Sequence, residues 1–364
     1  MRLRGDLKLG LPVALTQGPG AALVAWAETV SAERLAALSA MGTPQLALTR
    51  RRAEALGLDV PGLEISGGGD VLCADIPEGA DLAWLATLAG DDGLCSAPSA
   101  AKAGPKPALK PHFKPAGRLH MAALALAKSA QVLPAAVIVP MDDAEAEARR
   151  LGLSMMRVPD IMAELEQTAP QSRVSAATLP MAASKAGRVH IFRPDDGGVE
   201  HYAIEIGTPD LRQPVTVRLH SACFTGDVLG SLKCDCGPQL RTAMSTMAAG
   251  DGGIILYLNQ EGRGIGLANK MRAYALQDTG LDTVEANHWL GFDDDERDFR
   301  AGGNLLHWLG ITRVRLMTNN PAKIAILAAQ GIDVVERVPL KVGGNDVNAH
   351  YLATKALKSG HILT

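Results

Sequence analysis

The sequence is poor in aromatic residues, 4% of its 364, has only five cysteines, and carries no excess of charge of either sign. Its 36 Lys and Arg against 39 Asp and Glu leave a formal net charge of -3 with both signs interspersed. That balance excludes the broad basic footprint with which proteins hold nucleic acid or an anionic membrane, so we expect neither as a partner and expect any nucleotide it handles to be small. Long hydrophobic runs are also missing: Leu133 to Met141 falls well short of the ~20 residues of a spanning helix, and Asp6 and Lys8 break the apolar content of the N-terminus. A soluble, cytoplasmic protein is expected. Three cysteines, Cys223, Cys234 and Cys236, crowd into one short segment while Cys73 and Cys95 stand apart, a distribution that points to metal binding and not to a disulfide framework.

At 47% hydrophobic and 21% charged the chain can bury a sizeable core, and its length predicts two domains. The fold class expected is α/β (mixed α+β), as two layered α/β domains spanning residues 1–170 and 171–364. In the first half, β-like runs at Leu11 to Thr16 and Ala135 to Val139 alternate with helical patterns at Ser31 to Met41, Asp81 to Ala89 and Gly117 to Val132. Between Ala101 and Pro115, four lysines interleave with four prolines, which reads as a solvated loop. Gln167 to Ala183 loosens into Gln, Thr, Ser, Pro and Ala, as domain boundaries do. Beyond it, Pro238 and Gly250 bracket a helix, and Val314 to Thr318, Pro321 to Gln330 and Ile332 to Val338 form a βαβ unit opened by the cap pair Asn320 and Pro321.

Four motifs carry chemistry. The stretch from Arg218 through His220 and Cys223 to Cys234-Asp-Cys236 offers three soft thiolates, and three protein ligands with an open fourth position is how a catalytic zinc site activates water. The ordinary alternative is a structural zinc site with a distant fourth ligand such as His220. A nucleobase deaminase would need H-x-E and C-x-x-C, whereas the chain has His220-Ser-Ala222 and Cys234-x-Cys236. The strand Gly253 to Leu258 leads into Glu261-Gly262-Arg263-Gly264, a strand-to-helix turn able to approach phosphate, and the helix it opens carries Lys270, Arg272 and Tyr274. From composition alone, the acid-rich run Asp293 to Phe299 reads as an exposed helix N-terminus. Thr318 to Lys323 places a hydroxyl and an ammonium where a strand hands over to a helix.

In this order and over roughly residues 172 to 364, these motifs, with the ending Asn345 to Lys355 and Gly360 to Leu363, resemble the GTP cyclohydrolase II family. The resemblance implies a zinc ion held by Cys223, Cys234 and Cys236, activating a water that attacks C8 of guanine so that the opened ring loses formate. It implies Arg297 as nucleophile on the α-phosphate, or as electrostatic stabiliser of departing pyrophosphate, with Asp295 as proton acceptor and Tyr274 completing ring opening and deformylation. GTP contacts carry over to Arg218, Leu219, His220, Ser221, Ala222, Gln239, Glu261, Gly262, Arg263, Thr283, Thr318 and Lys323. The implied products are 2,5-diamino-6-hydroxy-4-(5-phosphoribosylamino)pyrimidine, formate and pyrophosphate, the first step of riboflavin biosynthesis, with magnesium on the triphosphate and a homodimer as the working form. Ala222 stands where relatives commonly have Glu, so that carboxylate contact is missing. It keeps open a partial-reaction or altered-purine variant, and a non-catalytic GTP-binding regulatory protein is the alternative from outside enzymes.

The first half is similar, more distantly, to 3,4-dihydroxy-2-butanone 4-phosphate synthase, on Gly10 to Leu15 and on Leu133 to Pro140. That enzyme needs an acidic cluster after its first strand, whereas Thr16 to Trp26 contains no carboxylate and Pro140 or its neighbours occupy the place of a later catalytic glutamate. A degenerate, inactive synthase-like domain is expected there.

Overall fold

The computed structural model describes residues 2–18, 20–60, 70–91, 109–349 and 362. Cys95, Lys102, Lys106 and nearly all of the ending beyond Ala349 lie outside the described residues. Two compact units result: Met1–Gln167 with Ala268–Glu296, and Thr168–Leu267 with Arg297–Thr364.

The first unit begins with α1 (Arg2–Lys8), β1 (Val13–Gln17), β2 (Gly20–Trp26), α2 (Ala32–Met41), β3 (Gln45–Thr49), α3 (Arg50–Ala55) and β4 (Val71–Asp75). It continues through α4 (Leu82–Ala89), β5 (Lys114–Pro115), α5 (Arg118–Ser129), β6 (Ala135–Met141), α6 (Ala144–Leu151), β7 (Met155–Arg157) and α7 (Val158–Glu166). The helical patterns start where the caps say they should: Ser31 accepts from the Arg34 amide and Asp81 from the Trp84 amide. The sheet runs β5-β4-β3-β6-β2-β1-β7, antiparallel except where β7 joins β1. The apolar run in β6 is central, its residues Ala135 to Val139 fully buried. Leu7, Leu15, Val24, Trp26, Leu126, Ile138 and Ile161 pack into one core.

The second stretch of chain supplies β8 (Gln171–Thr178), β9 (Gly187–Pro194), β10 (His201–Ile206), β11 (Val215–Ser221), α8 (Cys236–Ala249) and β12 (Gly253–Leu258). Then follow α9 (Gly266–Asp278), α10 (Thr283–Trp289), α11 (Arg300–Trp308), β13 (Arg313–Met317), α12 (Pro321–Ala329) and β14 (Asp333–Val338). From Ala268 onward α9, with α10, belongs to the first unit. The sheet order is β14-β13-β11-β12-β10-β9-β8. Its β14, β13, β11 and β12 are parallel, joined by helical crossovers, and β10, β9 and β8 continue it antiparallel. Both faces of its centre are covered, which is why β12 reads as a continuous apolar run: Ile254 and Leu256 enter one core cluster and Ile255 the other. No helix among the described residues is long and apolar enough to cross a membrane.

Two local expectations change. Asp293 to Phe299 is not a helix N-terminus: α11 starts at Arg300 with no acid in its first turn. The carboxylates of Asp293 and Glu296 instead meet Lys128 at 2.6 and 2.8 Å, a pairing that outweighs the modest benefit of acids at a helix start. At the end of the lysine-proline segment, Lys114 and Pro115 pair with β4, and Lys114 lies 3.4 Å from Asp75.

The first unit also buries an arginine. Arg52, 1% exposed, donates from Nε to Leu88 O at 2.9 Å, from Nη1 to Trp289 O at 2.6 Å and from Nη2 to Thr87 O at 2.7 Å. Its guanidinium lies 5.4 Å from the centre of the Trp289 ring, so one side chain ties α3, α4 and α10 together. Arg52→Leu leaves those carbonyls without donors and is expected to cost about 3 kcal/mol, read as a lowered urea midpoint; a midpoint like that of the unaltered protein would refute this role.

Candidate active site

Parallel strands that end side by side leave backbone and loop groups converging beyond their carboxyl ends, where ligands of α/β sheets bind. In the second unit those ends are Ser221 of β11, Leu258 of β12 and Met317 of β13. The segments that follow carry the sequence motifs: Ala222 and Cys223, Glu261 to Gly264, and Thr318 to Lys323. Alternation along β11 sends Val215, Val217 and Leu219 into the core and turns Arg218 and His220 to the opposite face.

Cys223 follows β11 and caps a π-helical turn, Phe224–Val228, while Cys234 and Cys236 lie at the start of α8. The three sulfurs lie within 4.8 Å of one another, the group of metal-ligand type found among the described residues. Cys223 and Cys234 are buried, 3.7 Å apart at Sγ, and Cys236 is half-buried. Gly226 makes the approach possible: a Cβ there would stand 2.8 Å from Cys234 Sγ and 3.0 Å from Cys223 Sγ. Its amide donates to Cys223 Sγ at 3.3 Å. The neighbouring Cys223 thiol pushes Cys234 above the usual thiol range, the expected strain of gathered thiols that a divalent cation would relieve. Three soft sulfurs with one more open ligand fit zinc. Cys73 stands apart as expected; it is buried within β4, and burial pushes its thiol up.

His220 is not a fourth member. Its Nε2 faces both oxygens of Asp227, at 3.1 and 3.0 Å, and burial holds its pKa below the ordinary histidine value. Asp227 also accepts from the Cys223 amide at 3.1 Å and from the Tyr257 hydroxyl at 2.9 Å. Burial, then the Asp227 charge, raise the Tyr257 pKa, so the phenol stays protonated and donates. His220 and Tyr257 are register partners on β11 and β12, with rings stacked at 5.5 Å. Sequence reasoning passed over Asp227, Tyr257 and Gly226. For Tyr257 the signal was a lone polar group in the otherwise apolar strand β12.

Arg218 is 6% exposed and donates from Nη2 to Gln239 Oε1 at 2.6 Å, while Gln239 Nε2 donates to Asp235 Oδ2 at 2.6 Å. Burial pulls its pKa down to about 10, which leaves it charged at neutral pH. Glu261 accepts from the Phe224 amide at 2.6 Å and the Gly262 amide at 2.9 Å, tying the glycine-rich turn to the cysteine turn. Gly262 and Arg263 both take left-handed backbone, at φ 63° and 62°, a conformation that costs a non-glycine residue of order 1 kcal/mol and recurs at ligand-holding turns. Arg297 and Lys323 share one aromatic ring: the guanidinium carbon is 4.8 Å and the ammonium 4.6 Å from the centre of Phe299. Arg297 Nη1 donates to Ser221 Oγ at 3.4 Å, and Lys323 Nζ to Leu219 O at 2.7 Å. Thr318 Oγ1 accepts from the Asn320 amide at 3.0 Å, and the Ala222 amide donates to Leu258 O at 2.8 Å.

The second unit therefore gathers the three cysteines with Arg218 to Ala222, Gln239, Glu261 to Arg263, Arg297, Thr318 and Lys323. Tyr274, Thr283 and Asp295 belong to the first unit. There Tyr274 has Lys270 Nζ 5.5 Å from its ring centre, Thr283 opens α10 and accepts from Gln277 at 3.4 Å, and Asp295 is exposed.

Comparison with known proteins supplies an independent view. The profile of the family described as GTP cyclohydrolase II matches residues 172–339. A GTP cyclohydrolase-2 of Azospirillum brasilense is 43% identical over 326 residues, 88% of this chain and 81% of that protein. Another, from Cronobacter sakazakii, is 56% identical over 167 residues, 46% of this chain and 85% of that protein. The riboflavin biosynthesis protein RibBA of Synechocystis sp. is 43% identical over 255 residues, 66% of this chain and 46% of that protein. Among solved structures, RibBX, a two domain 3,4-dihydroxy-2-butanone 4-phosphate synthase from A. baumannii, is similar over 94% of this chain and 98% of that one, at 19% identity and a TM-score of 0.35.

Gly226→Ala places a methyl group among the sulfurs. It is expected to weaken zinc retention by roughly tenfold or more, with circular dichroism unchanged; zinc bound as tightly as before, by competition with a chromogenic chelator, would show that the three sulfurs do not form the site.

Proposed function

As the chain belongs to the GTP cyclohydrolase II family and is an enzyme of that kind, we propose that it hydrolyses GTP to 2,5-diamino-6-hydroxy-4-(5-phosphoribosylamino)pyrimidine, formate and pyrophosphate. The observation that carries this reading is the cluster of Cys223, Cys234 and Cys236 at the carboxyl ends of parallel strands, in the unit that also pairs Arg297 and Lys323 on one ring. Cys223, Cys234 and Cys236 would hold zinc, which when bound supplies the Lewis acidity that makes a nucleophilic water available at neutral pH.

The chain's own residues bind, orient and carry charge. Arg218 stays cationic on a hydrogen-bonded, buried side chain, and Lys323 is likewise buried and hydrogen-bonded, so both are fixed in place to meet phosphate with little reorganisation. Arg297 acts at the α-phosphate, as nucleophile or as the positive charge that stabilises departing pyrophosphate, with Asp295 as proton acceptor. Tyr274 serves completion of ring opening and deformylation. Gln239, Glu261, Gly262, Arg263, Thr283 and Thr318 complete the GTP contacts, with backbone and side chains of Leu219 to Ala222. Asp227 holds His220, Tyr257 and the Cys223 amide, so the metal-bearing turn keeps its place. Magnesium accompanies the triphosphate, and the working form is a cytoplasmic homodimer. In the first unit, residues after β1 turn through a hairpin into β2, whose Gly20–Trp26 contains no carboxylate, which supports loss of butanone phosphate synthase activity.

A mass-spectrometric time course of zinc-loaded protein with GTP and magnesium tests the reading. All three products in equal amounts are expected. Pyrophosphate without formate would indicate the partial reaction that Ala222 keeps open, and bound, unchanged GTP would replace the enzyme reading by a sensor. Cys234→Ser is expected to abolish formate release, and full activity in that variant would sink the metal assignment. With Arg297→Ala, pyrophosphate release should stop while GTP still binds; undiminished release would reject its role at the phosphate.

A further inference from the structure

The residues that the cyclohydrolase reading does not use include a charged lattice inside the first unit. Asp293 and Glu296 flank Asp295, and both are gripped from the N-terminal part of the chain. Lys128, near the end of α5, reaches Asp293 Oδ2 at 2.6 Å and Glu296 Oε1 at 2.8 Å. Arg51, on α3, donates from Nε to Asp293 Oδ1 at 2.9 Å, and its Nη1 lies 2.7 Å from His288 Nε2. His288 in turn faces Asp294 at 2.5 Å. The loop also closes on itself, the Asp293 amide donating to Glu296 Oε1 at 2.8 Å and Asn287 Nδ2 to Asp293 O at 3.3 Å.

The chain just before the loop is keyed to the same surface. Arg52 donates to Trp289 O at 2.6 Å. At Gly291, with φ 85°, a Cβ would stand 2.8 Å from Thr49 Oγ1 and 3.0 Å from Pro134 Cγ, so backbone and N-terminal residues touch directly. Upstream, Arg272 meets Glu28 at 3.1 Å and Asp91 at 2.8 Å, and Asn269 Nδ2 donates to Gln131 O at 3.0 Å. Burial works against the charge of Lys128, yet Glu296 and Asp293 hold its pKa above the usual lysine value. Burial would raise Asp293, and Lys128 with Arg51 nevertheless keep it below the ordinary carboxylate range. Asp293 and Arg51 keep part of their side chains in water, while Lys128 and Glu296 are about four-fifths covered, so the bridge combines two half-exposed groups with two that are mostly enclosed, and it is the sharing of Asp293 by two cations that restricts the loop.

We propose that the N-terminal part of the chain, whatever its ancestry, now serves as a scaffold for the cyclohydrolase reaction, with Lys128 and Arg51 as positioning residues that fix the loop bearing Asp295 and leading into Arg297. The inference rests on the proposed roles of Asp295 and Arg297, and deepens that reading. Neither Lys128 nor Arg51 needs to touch GTP. A loop of consecutive carboxylates repels itself and would spread into water; two cations anchored on helices draw Asp293 and Glu296 one way and leave Asp295, exposed between them, in one orientation.

The test uses the full-length, zinc-loaded protein. Lys128→Met keeps the length of the side chain and removes its charge. Expected are faster amide exchange in residues 291–299 and a kcat for pyrophosphate release lowered tenfold or more, with GTP affinity and zinc content unchanged. Lys128→Arg, which keeps the positive charge facing both carboxylates, should retain most of the kcat that the methionine variant loses; Arg51→Gln gives a second route to the same phenotype if the methionine variant is poorly folded. Unchanged kcat in Lys128→Met and Arg51→Gln, with Arg297→Ala inactive, would overturn the scaffold alone. Undiminished turnover in Arg297→Ala would show that the loop takes no part in the chemistry, and both readings would fall together.

Discussion

The cysteine-bearing turn depends on one buried carboxylate. Asp227, its side chain 4% exposed, would be costly in a sheet-covered interior without partners. It has them in Tyr257, in the Cys223 amide and in His220, contributed by β12, by the end of β11 and by β11 itself. The π-helical turn Phe224–Val228 carries Asp227 back over Cys223, so the same carboxylate fixes both the strand ends and the first sulfur. Gly226, inside that turn, then lets Cys234 and Cys236 arrive from α8 at the distances a single ion requires. The sulfurs converge because a hydrogen-bond network in the sheet holds the turn, not because the cysteines attract one another; without a cation, close thiols resist ionising.

Cations are held in two ways. Some are buried against neutral acceptors: Arg218 on Gln239, Lys323 on a backbone carbonyl, and Arg52 on three carbonyls. Arg218 stays charged at neutral pH in that setting. Others are matched to carboxylates, Lys128 to Asp293 and Glu296, Arg272 to Glu28 and Asp91. Matched pairs have little left to offer a ligand and instead set geometry.

Much of the fold was legible locally. Caps at Ser31, Asp81 and Asn320 marked helix starts, and the apolar runs at Gly253 to Leu258 and Ala135 to Val139 marked central strands. The acid-rich run Asp293 to Phe299 was misread because composition reports macrodipole preference and not distant partners; Lys128 lies 165 residues away from Asp293. The partner of His220 was hidden for a related reason: Asp227 is its neighbour only once the turn folds back. The return of Ala268–Glu296 to the first unit has no local signal at all.

The sequence by itself determined the chemistry on offer, since three closely spaced thiols, a glycine-rich turn after a strand and a capped helix start with a lysine are local properties of residue type and spacing. Tertiary structure alone decided which of those groups meet, that Asp227 and Tyr257 join them, and that the carboxylates beside Asp295 are tied to α3 and α5. Backbone propensity and capping act over a few residues, whereas ion pairs and buried hydrogen bonds are satisfied by whichever partner the packed core brings within ~3 Å.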